Sequence, residues 1–320
     1  MRGIVSLAIV LLSVPVIVLA MQFHRSNSGV GTPSAYLEIE KPYGIDGDDP
    51  ALDESGIPVL CYHYLSPPPG PTHMARVAAA VLLNVPTLDS KHFWSLPVDM
   101  FEAHLKWLDE NGYETLTIGE VADVMQGRRR MPKKAVAITF DDGERSLLDL
   151  GLPLLEKYDM KATLFVVTGH VGEKWQGLDM LTWAELAQLK SSGRVAIESH
   201  THDMHYKVNT EGGGTEPVHQ FWVPEHGDDD QSARVVADLI RSREEIKKNL
   251  FVEPRVLAWP YGFGNPRLDR LARAVGFEGT VSLKAGTARP GVDKPWAMQR
   301  FTITARTTVR LLAEMVGDGS

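Results

Sequence analysis

Short, mostly apolar runs set the tightest limit on what this chain can fold into. They fall at 57–62, 135–140, 162–168, 195–198, 256–259, 280–283 and 301–304. A strand with one wet face alternates apolar and polar residues, so runs without that alternation predict strands covered on both faces. Helical patterning separates most of them. Met100, Phe101, Leu105 and Leu108 recur at helical spacing before the stop Asn111-Gly112, and 147–158, 233–250, 266–275 and 308–316 read the same way. Thr117-x-x-Glu120 and Thr182-x-x-Glu185 are capping boxes, in which each side chain satisfies the other residue's free backbone N–H. Alternating strand and helix predict an α/β fold, and six or seven parallel strands favour a single barrel-like (β/α) domain over residues 57–320. In such folds reactive groups collect where strands end and loops begin.

Charge and cysteine content remove several classes of function. With 33 Lys+Arg against 41 Asp+Glu, the chain carries a net charge of -8. A nucleic-acid partner is therefore not expected, because phosphate contacts need a surplus of cations. A single cysteine, Cys61, excludes an intramolecular disulfide and a cysteine-rich zinc site. Residues 1–21 read as a signal peptide or membrane anchor: Arg2 precedes an uncharged run over 4–21, between the length of a secretory signal and that of a membrane span. Residues 22–56, rich in Gly, Pro, Ser and Asp, read as a flexible linker. The expected location is outside the cytoplasm, periplasmic or at the cell surface, with a membrane partner through 4–21 if that segment stays uncleaved.

Three strand ends concentrate chemistry. At the first, Thr139-Phe140-Asp141-Asp142-Gly143, neighbouring carboxylates on a regular strand would face opposite ways, but a turn at Gly143 lets both face one pocket. Two crowded carboxylates repel unless a cation or a shared proton relieves them, which points to metal binding by one and proton transfer by the other. Asp-Asp-Gly is also a common turn. The second end, Glu198 to His205, places His200, His202 and His205 within six residues, and neutral imidazole is the commonest metal ligand. His200 and His202 share a strand face; His200 and His205 converge only if the chain turns. The third, Trp259-Pro260-Tyr261-Gly262, favours a sharp turn that aims the Tyr261 N–H into a pocket, the kind of donor that stabilises an oxyanion. Trp94, Trp175, Trp222 and Trp259 are aromatics that stack on sugar rings in some proteins and fill cores in most. The insert 208–231, with three consecutive glycines and Asp228–Asp230, reads as a mobile loop beside the second strand end.

Taken together, these motifs resemble the polysaccharide deacetylases of the NodB-homology type, carbohydrate esterase family 4. Thr139–Gly143 matches that family's first motif letter for letter, and His200-Thr201 with His205 matches its second. Leu60-Cys61-Tyr62-His63, Ser199-His200-Thr201-x-Asp203-x-His205 and Trp259-Pro260-Tyr261-Gly262 resemble the subgroup acting on poly-β-1,6-N-acetylglucosamine of biofilms. The resemblance implies a distorted barrel and a hydrolase that removes N-acetyl groups from a polysaccharide substrate. It implies one divalent metal ion (Zn, Co, Ni or Fe) held by Asp142, His200 and His205, with Asp141 as general base and the Tyr261 N–H at the oxyanion. Trp259, Pro260 and His63 would contact substrate. Many family members carry a late Leu-x-His motif whose histidine protonates the leaving amine. Here the last histidine is His226, and the stretch Asp293–Trp296 with Arg300 supplies no obvious donor, which leaves that role unassigned. Peptidoglycan, chitin and acetylated xylan are alternative substrates, and a carbohydrate-binding protein with a degenerate site is the rival from another class.

Overall fold

The structure is a computed structural model and describes residues 56–68, 93–225 and 231–317. The segment read as a signal or anchor (1–21), the one read as a linker (22–56, but for Gly56) and Asp228–Asp230 lie outside the described residues. No helix among the described residues is long and apolar enough to cross a membrane.

The apolar runs form strands close to where the sequence puts them. In chain order they are β1 (Ile57–Tyr62), β2 (Glu114–Leu116), β3 (Ala135–Phe140), β4 (Ala162–Val166), β5 (Val195–Ser199), β6 (Val256–Ala258), β7 (Gly279–Val281) and β8 (Phe301–Thr302). Seven parallel strands curl in the order β7-β6-β5-β4-β3-β1-β8. β2, which the sequence reading missed, is only three residues long and borders the first half of β3, while β4 borders its second half. The two edges of the curl are joined by one stretch of chain. Met298 exchanges hydrogen bonds with β7 (Met298 N to Thr280 O and Ser282 N to Met298 O, both 2.9 Å), and Ile303 N reaches Cys61 O of β1 at 2.8 Å. The distorted (β/α) barrel expected from the sequence is the fold observed.

The helices are α1 (Val98–Glu110), α2 (Ile118–Met125), α3 (Leu152–Lys157), α4 (Trp183–Ser191), α5 (Ser232–Leu250), α6 (Pro266–Ala274) and α7 (Val309–Met315). Both capping boxes form, at the starts of α2 and α4. The helix expected over 147–158 opens instead with a wider π turn, Leu147–Gly151. Pro153 has no N–H to give residue 149, so the regular ladder cannot continue through it. Strand residues alternate between two apolar layers. Val136, Ile138 and Phe140 pack with Phe101 and Leu105 of α1 and Leu186 of α4. Ala135 and Ala137 pack with Val121 and Ala122 of α2 and with Val256, Ala258 and Val281 from other strands, which marks them as the inner row of the curl. Continuing that row upward gives Thr139 and then Asp141.

The insert is more structured than the loop the sequence suggested. Lys207–Asn209 pairs with Thr215–Pro217, and a short helix, Val218–Trp222, follows. His219 on that helix is fully buried; its Nε2 lies 2.6 Å from Phe263 O and its ring stacks on Trp259 at 5.4 Å. Glycine-rich composition described the tip of the ribbon and concealed the anchor behind it.

Candidate active site

Asp141 closes the inner row of β3 and is 2% exposed. Arg300, fully buried just before β8, meets it with two parallel bonds, Nη1 to Oδ1 at 2.7 Å and Nη2 to Oδ2 at 2.8 Å. The guanidinium is fixed in turn: its Nε donates to Ser282 O at 3.0 Å and Nη1 reaches Thr139 Oγ1 at 3.3 Å. Burial alone would raise the Asp141 pKa, but the adjacent Arg300 charge outweighs it and holds the carboxyl below the usual carboxylate range. Cys61 Sγ lies 3.5 Å from Oδ2, and burial pushes this thiol well up, so it stays a thiol. His63 completes the group: a ring nitrogen, the sulfur and an Asp141 oxygen lie within 4.8 Å of one another.

Asp142 would point away from this pocket if the strand ran on. It adopts a left-handed φ of 74° and Gly143 follows at 97°, so the chain turns at once and swings the second carboxylate to the same end of the barrel. There its Oδ1 stands 3.6 Å from His200 Nε2 and 3.4 Å from His205 Nε2. The convergence of the two histidines needs the turn anticipated after β5, and Thr201 supplies it with a φ of 70°. His202 is carried the other way, to Thr168 Oγ1 at 2.9 Å, outside the cluster. Asp238 of α5 holds this turn by accepting the N–H groups of His202 at 2.7 Å and Asp203 at 2.8 Å.

These three side chains fit a divalent cation. Asp142 Oδ1, the oxygen that faces both Nε2 atoms, is buried with no hydrogen-bond partner among the described residues. His200 Nδ1 lies 2.8 Å from Ala258 O, so it carries the proton and leaves Nε2 bare as a ligand. Burial lowers the His205 pKa to about 4, which keeps that imidazole neutral as ligation requires. The other Asp142 oxygen, Oδ2, accepts a bond from the Tyr64 hydroxyl at 2.6 Å. Burial and the neighbouring carboxylate push the Tyr64 pKa up, so the phenol remains a donor.

The third strand end borders this cluster. Tyr261 has a left-handed φ of 59°, its ring centroid is 4.4 Å from that of His205, and Lys207 Nζ lies 5.0 Å from its ring centre. Gly262 has to be glycine, because a Cβ there would sit 2.5 Å from Leu283. Trp259 and Pro260 are buried, and the Trp259 indole N–H donates to Asp269 at 3.0 Å. Trp259 therefore supports the turn from within the core and offers no face to a sugar. His63, half-buried at the end of β1, stacks obliquely on Trp94 at 4.4 Å. Trp175 meets His205 edge-on at 5.1 Å and stacks on His170 at 4.6 Å. Two site residues escaped sequence reasoning in their roles, Arg300 and Tyr64. For Arg300 a signal existed: an arginine abutting an apolar strand is buried only with an anion beside it.

The profile of the polysaccharide deacetylase family matches residues 128–280, which contain both carboxylates, the histidine cluster and the Tyr261 turn. Over residues 128–280 this is polysaccharide deacetylase sequence. Among curated proteins it is 29% identical to a poly-β-1,6-N-acetyl-D-glucosamine N-deacetylase of Staphylococcus aureus, over 62% of this chain and 64% of that protein. The matched stretch thus spans less than two thirds of that relative's length. Among solved structures, IcaB from Ammonifex degensii superposes with a TM-score of 0.67 at 27% identity, covering 84% of this chain and 99% of that one. The BpsB deacetylase domain from Bordetella bronchiseptica gives 0.59 at 25%, covering 80% and 98%.

Proposed function

We propose that this protein removes N-acetyl groups from a polymer of N-acetylglucosamine, with a β-1,6-linked polymer as the first substrate to test. The observation that carries this reading is the pairing, at one barrel mouth, of an Arg300-held carboxylate with a carboxylate that has one oxygen unpartnered among the described residues beside two imidazoles. The resemblance of the whole domain to named deacetylases supports it. Asp142, His200 and His205 would hold one divalent cation, which when bound polarises an amide carbonyl and makes water acidic. The chain's own residues then have these tasks. Asp141, kept ionised and immobile by Arg300, takes a proton from the water that adds to the acetamide carbonyl. Tyr261, at the rim of the cluster, aims its backbone at the oxygen where negative charge develops. His63, whose Nδ1 is buried without a partner among the described residues and which burial keeps neutral at rest, takes over the proton that Asp141 accepted and passes it to the amine as the C–N bond breaks. One water and one acetamide become one acetate and one free amine. His63 thus takes the role left open by the absence of a late histidine. We place the enzyme outside the cytoplasm, delivered or anchored by residues 4–21.

The test is metal content and acetate release measured together on the purified chain. Oligomers of β-1,6-linked N-acetylglucosamine are compared with chitin, peptidoglycan and acetylated xylan. One bound metal and acetate from the β-1,6 oligomers support the reading. Acetate from another polymer alone moves the substrate. Bound metal with no acetate from any of them would leave a carbohydrate-binding module.

A further inference from the structure

Asp142 treats its two oxygens differently, and the cause is a residue outside every recognised motif. Oδ1 faces the imidazoles of His200 and His205 and has no hydrogen-bond partner among the described residues. Oδ2 accepts the Tyr64 hydroxyl at 2.6 Å. A carboxylate has about four lone-pair sites on two oxygens, and its terminal torsion is soft, so a free carboxylate at this position could present either oxygen or both. Presenting both would take up two positions on a cation, whereas hydrolytic sites need open positions for water and substrate.

We propose that Tyr64 is a positioning residue for cation capture, holding Oδ2 of Asp142 so that only Oδ1 is offered beside the two imidazole nitrogens. The proposal rests on the reading of Asp142, His200 and His205 as a metal site. The seat of Tyr64 is itself built from the loop that follows Asp142. Leu65 N donates to Ser146 Oγ at 2.8 Å, and Ser146 N donates to the Glu144 carboxylate at 2.8 Å. On its other side Tyr64 pairs with Ser95 in a parallel ribbon. The phenol and the carboxylate are therefore fixed to one short loop from both ends, and the bond between them does not depend on a flexible arm. Partners that orient a metal ligand in this way change metal affinity by about 10–100-fold when removed.

The experiment titrates cobalt(II) into the metal-free full chain and follows its visible absorption, which weakens as coordination number rises. The wild type is expected to bind one cobalt. Tyr64→Phe is expected to bind roughly 10–100-fold more weakly, with a weaker visible band as the released carboxylate engages through both oxygens. Unchanged affinity and an unchanged band in a folded Tyr64→Phe protein would overturn the proposal and leave the metal site standing. If Tyr64→Phe does not fold by circular dichroism, Ser146→Ala decides. It loosens the seat of residue 64 while keeping the phenol, so the same changes at smaller size support the proposal and their absence overturns it. A wild type that takes up no cobalt removes the metal site itself, and Tyr64's role with it.

Discussion

Two adjacent carboxylates at one strand end have opposite surroundings. Asp141 shares its pocket with Cys61 and His63, and a buried guanidinium occupies both its oxygens. Asp142 shares its pocket with His200 and His205, and no side-chain cation of lysine or arginine pairs with it among the described residues. Each group has three metal-ligating side chains within reach of one another, so ligand type alone does not separate them. The built-in cation does. On the proposed function, the carboxylate to which the fold supplies positive charge serves as a fixed base, and the one from which it withholds charge is left to take an ion from outside. The charge balance of a buried acid therefore says more about its role than its neighbours in sequence do.

The sharpest way to break this comparison is to neutralise each acid in turn. Asp142→Asn or His205→Ala should lose the bound metal and reduce acetate release by at least about 10³-fold, the several kcal/mol that a Lewis-acid cation supplies. The fold should tolerate Asp142→Asn, because asparagine accepts a left-handed φ about as well as aspartate. Thermal unfolding of the metal-free protein should then change by under about 1 kcal/mol. Asp141→Asn should behave in reverse on two counts. Metal analysis should still find one ion, with kcat down about 10²–10⁴-fold. Stability should fall by about 3–5 kcal/mol, because Arg300 is left charged and alone in the core. Arg300→Met should cost a similar amount, and the double variant should recover much of it. If the double variant is as unstable as the sum of the singles, the ion pair is not the reason. His63→Asn comes next, with an expected loss of about 10²-fold in kcat and no change in metal stoichiometry or unfolding midpoint. A loss of metal instead would move His63 into the ligand set.

The smallest effect uses an imidazole unconnected with either acid as a reference. His104 of α1 is buried with both nitrogens engaged, Nδ1 with the Tyr62 hydroxyl at 3.1 Å and Nε2 with Thr307 O at 3.1 Å. Burial lowers its pKa from 6.5 to about 4, partly offset by the bond to Thr307. A base whose folded pKa is depressed binds fewer protons folded than unfolded, so its contribution to stability is complete above pH 6.5 and is lost as pH falls toward 4. That contribution is on the order of 3 kcal/mol. Denaturant midpoints measured across this window should fall less steeply for His104→Gln, and equal slopes would reject the assignment.

Much of this was readable from the chain. The apolar runs gave strand after strand within a residue or two, because a strand buried on both faces has nowhere to hide polar residues. The capping boxes were read to the atom pair, since they depend on residues three apart. Asp142, His200 and His205 were grouped through a motif resemblance, and the structure brings them together through left-handed backbone at Asp142 and Thr201. Aspartate visits that conformation more often than most residues, but neither it nor threonine announces it as glycine does. Trp259 was misleading because an aromatic in a motif looks like a ligand platform, whereas its N–H bond to Asp269 commits it to the core. Tyr64 was out of reach, and the partner of Arg300 with it, for a plainer reason: the groups they meet are distant in sequence, and no local pattern encodes a contact across the barrel mouth.

The seam of the barrel has one more consequence. The stretch that stitches β7 to β1 is also the stretch that delivers Arg300, and Arg300 meets Asp141 from 159 positions further along the chain. On a ribosome, or emerging from any pore that releases the chain from its N-terminus, the carboxylate appears long before its counter-ion. Until the last strand arrives, Asp141 has no fixed charge to keep it ionised in a dry pocket. If Asp141 is the base proposed above, it becomes competent only when the strand that follows Arg300 has been laid down, and a partly assembled barrel is chemically quiet.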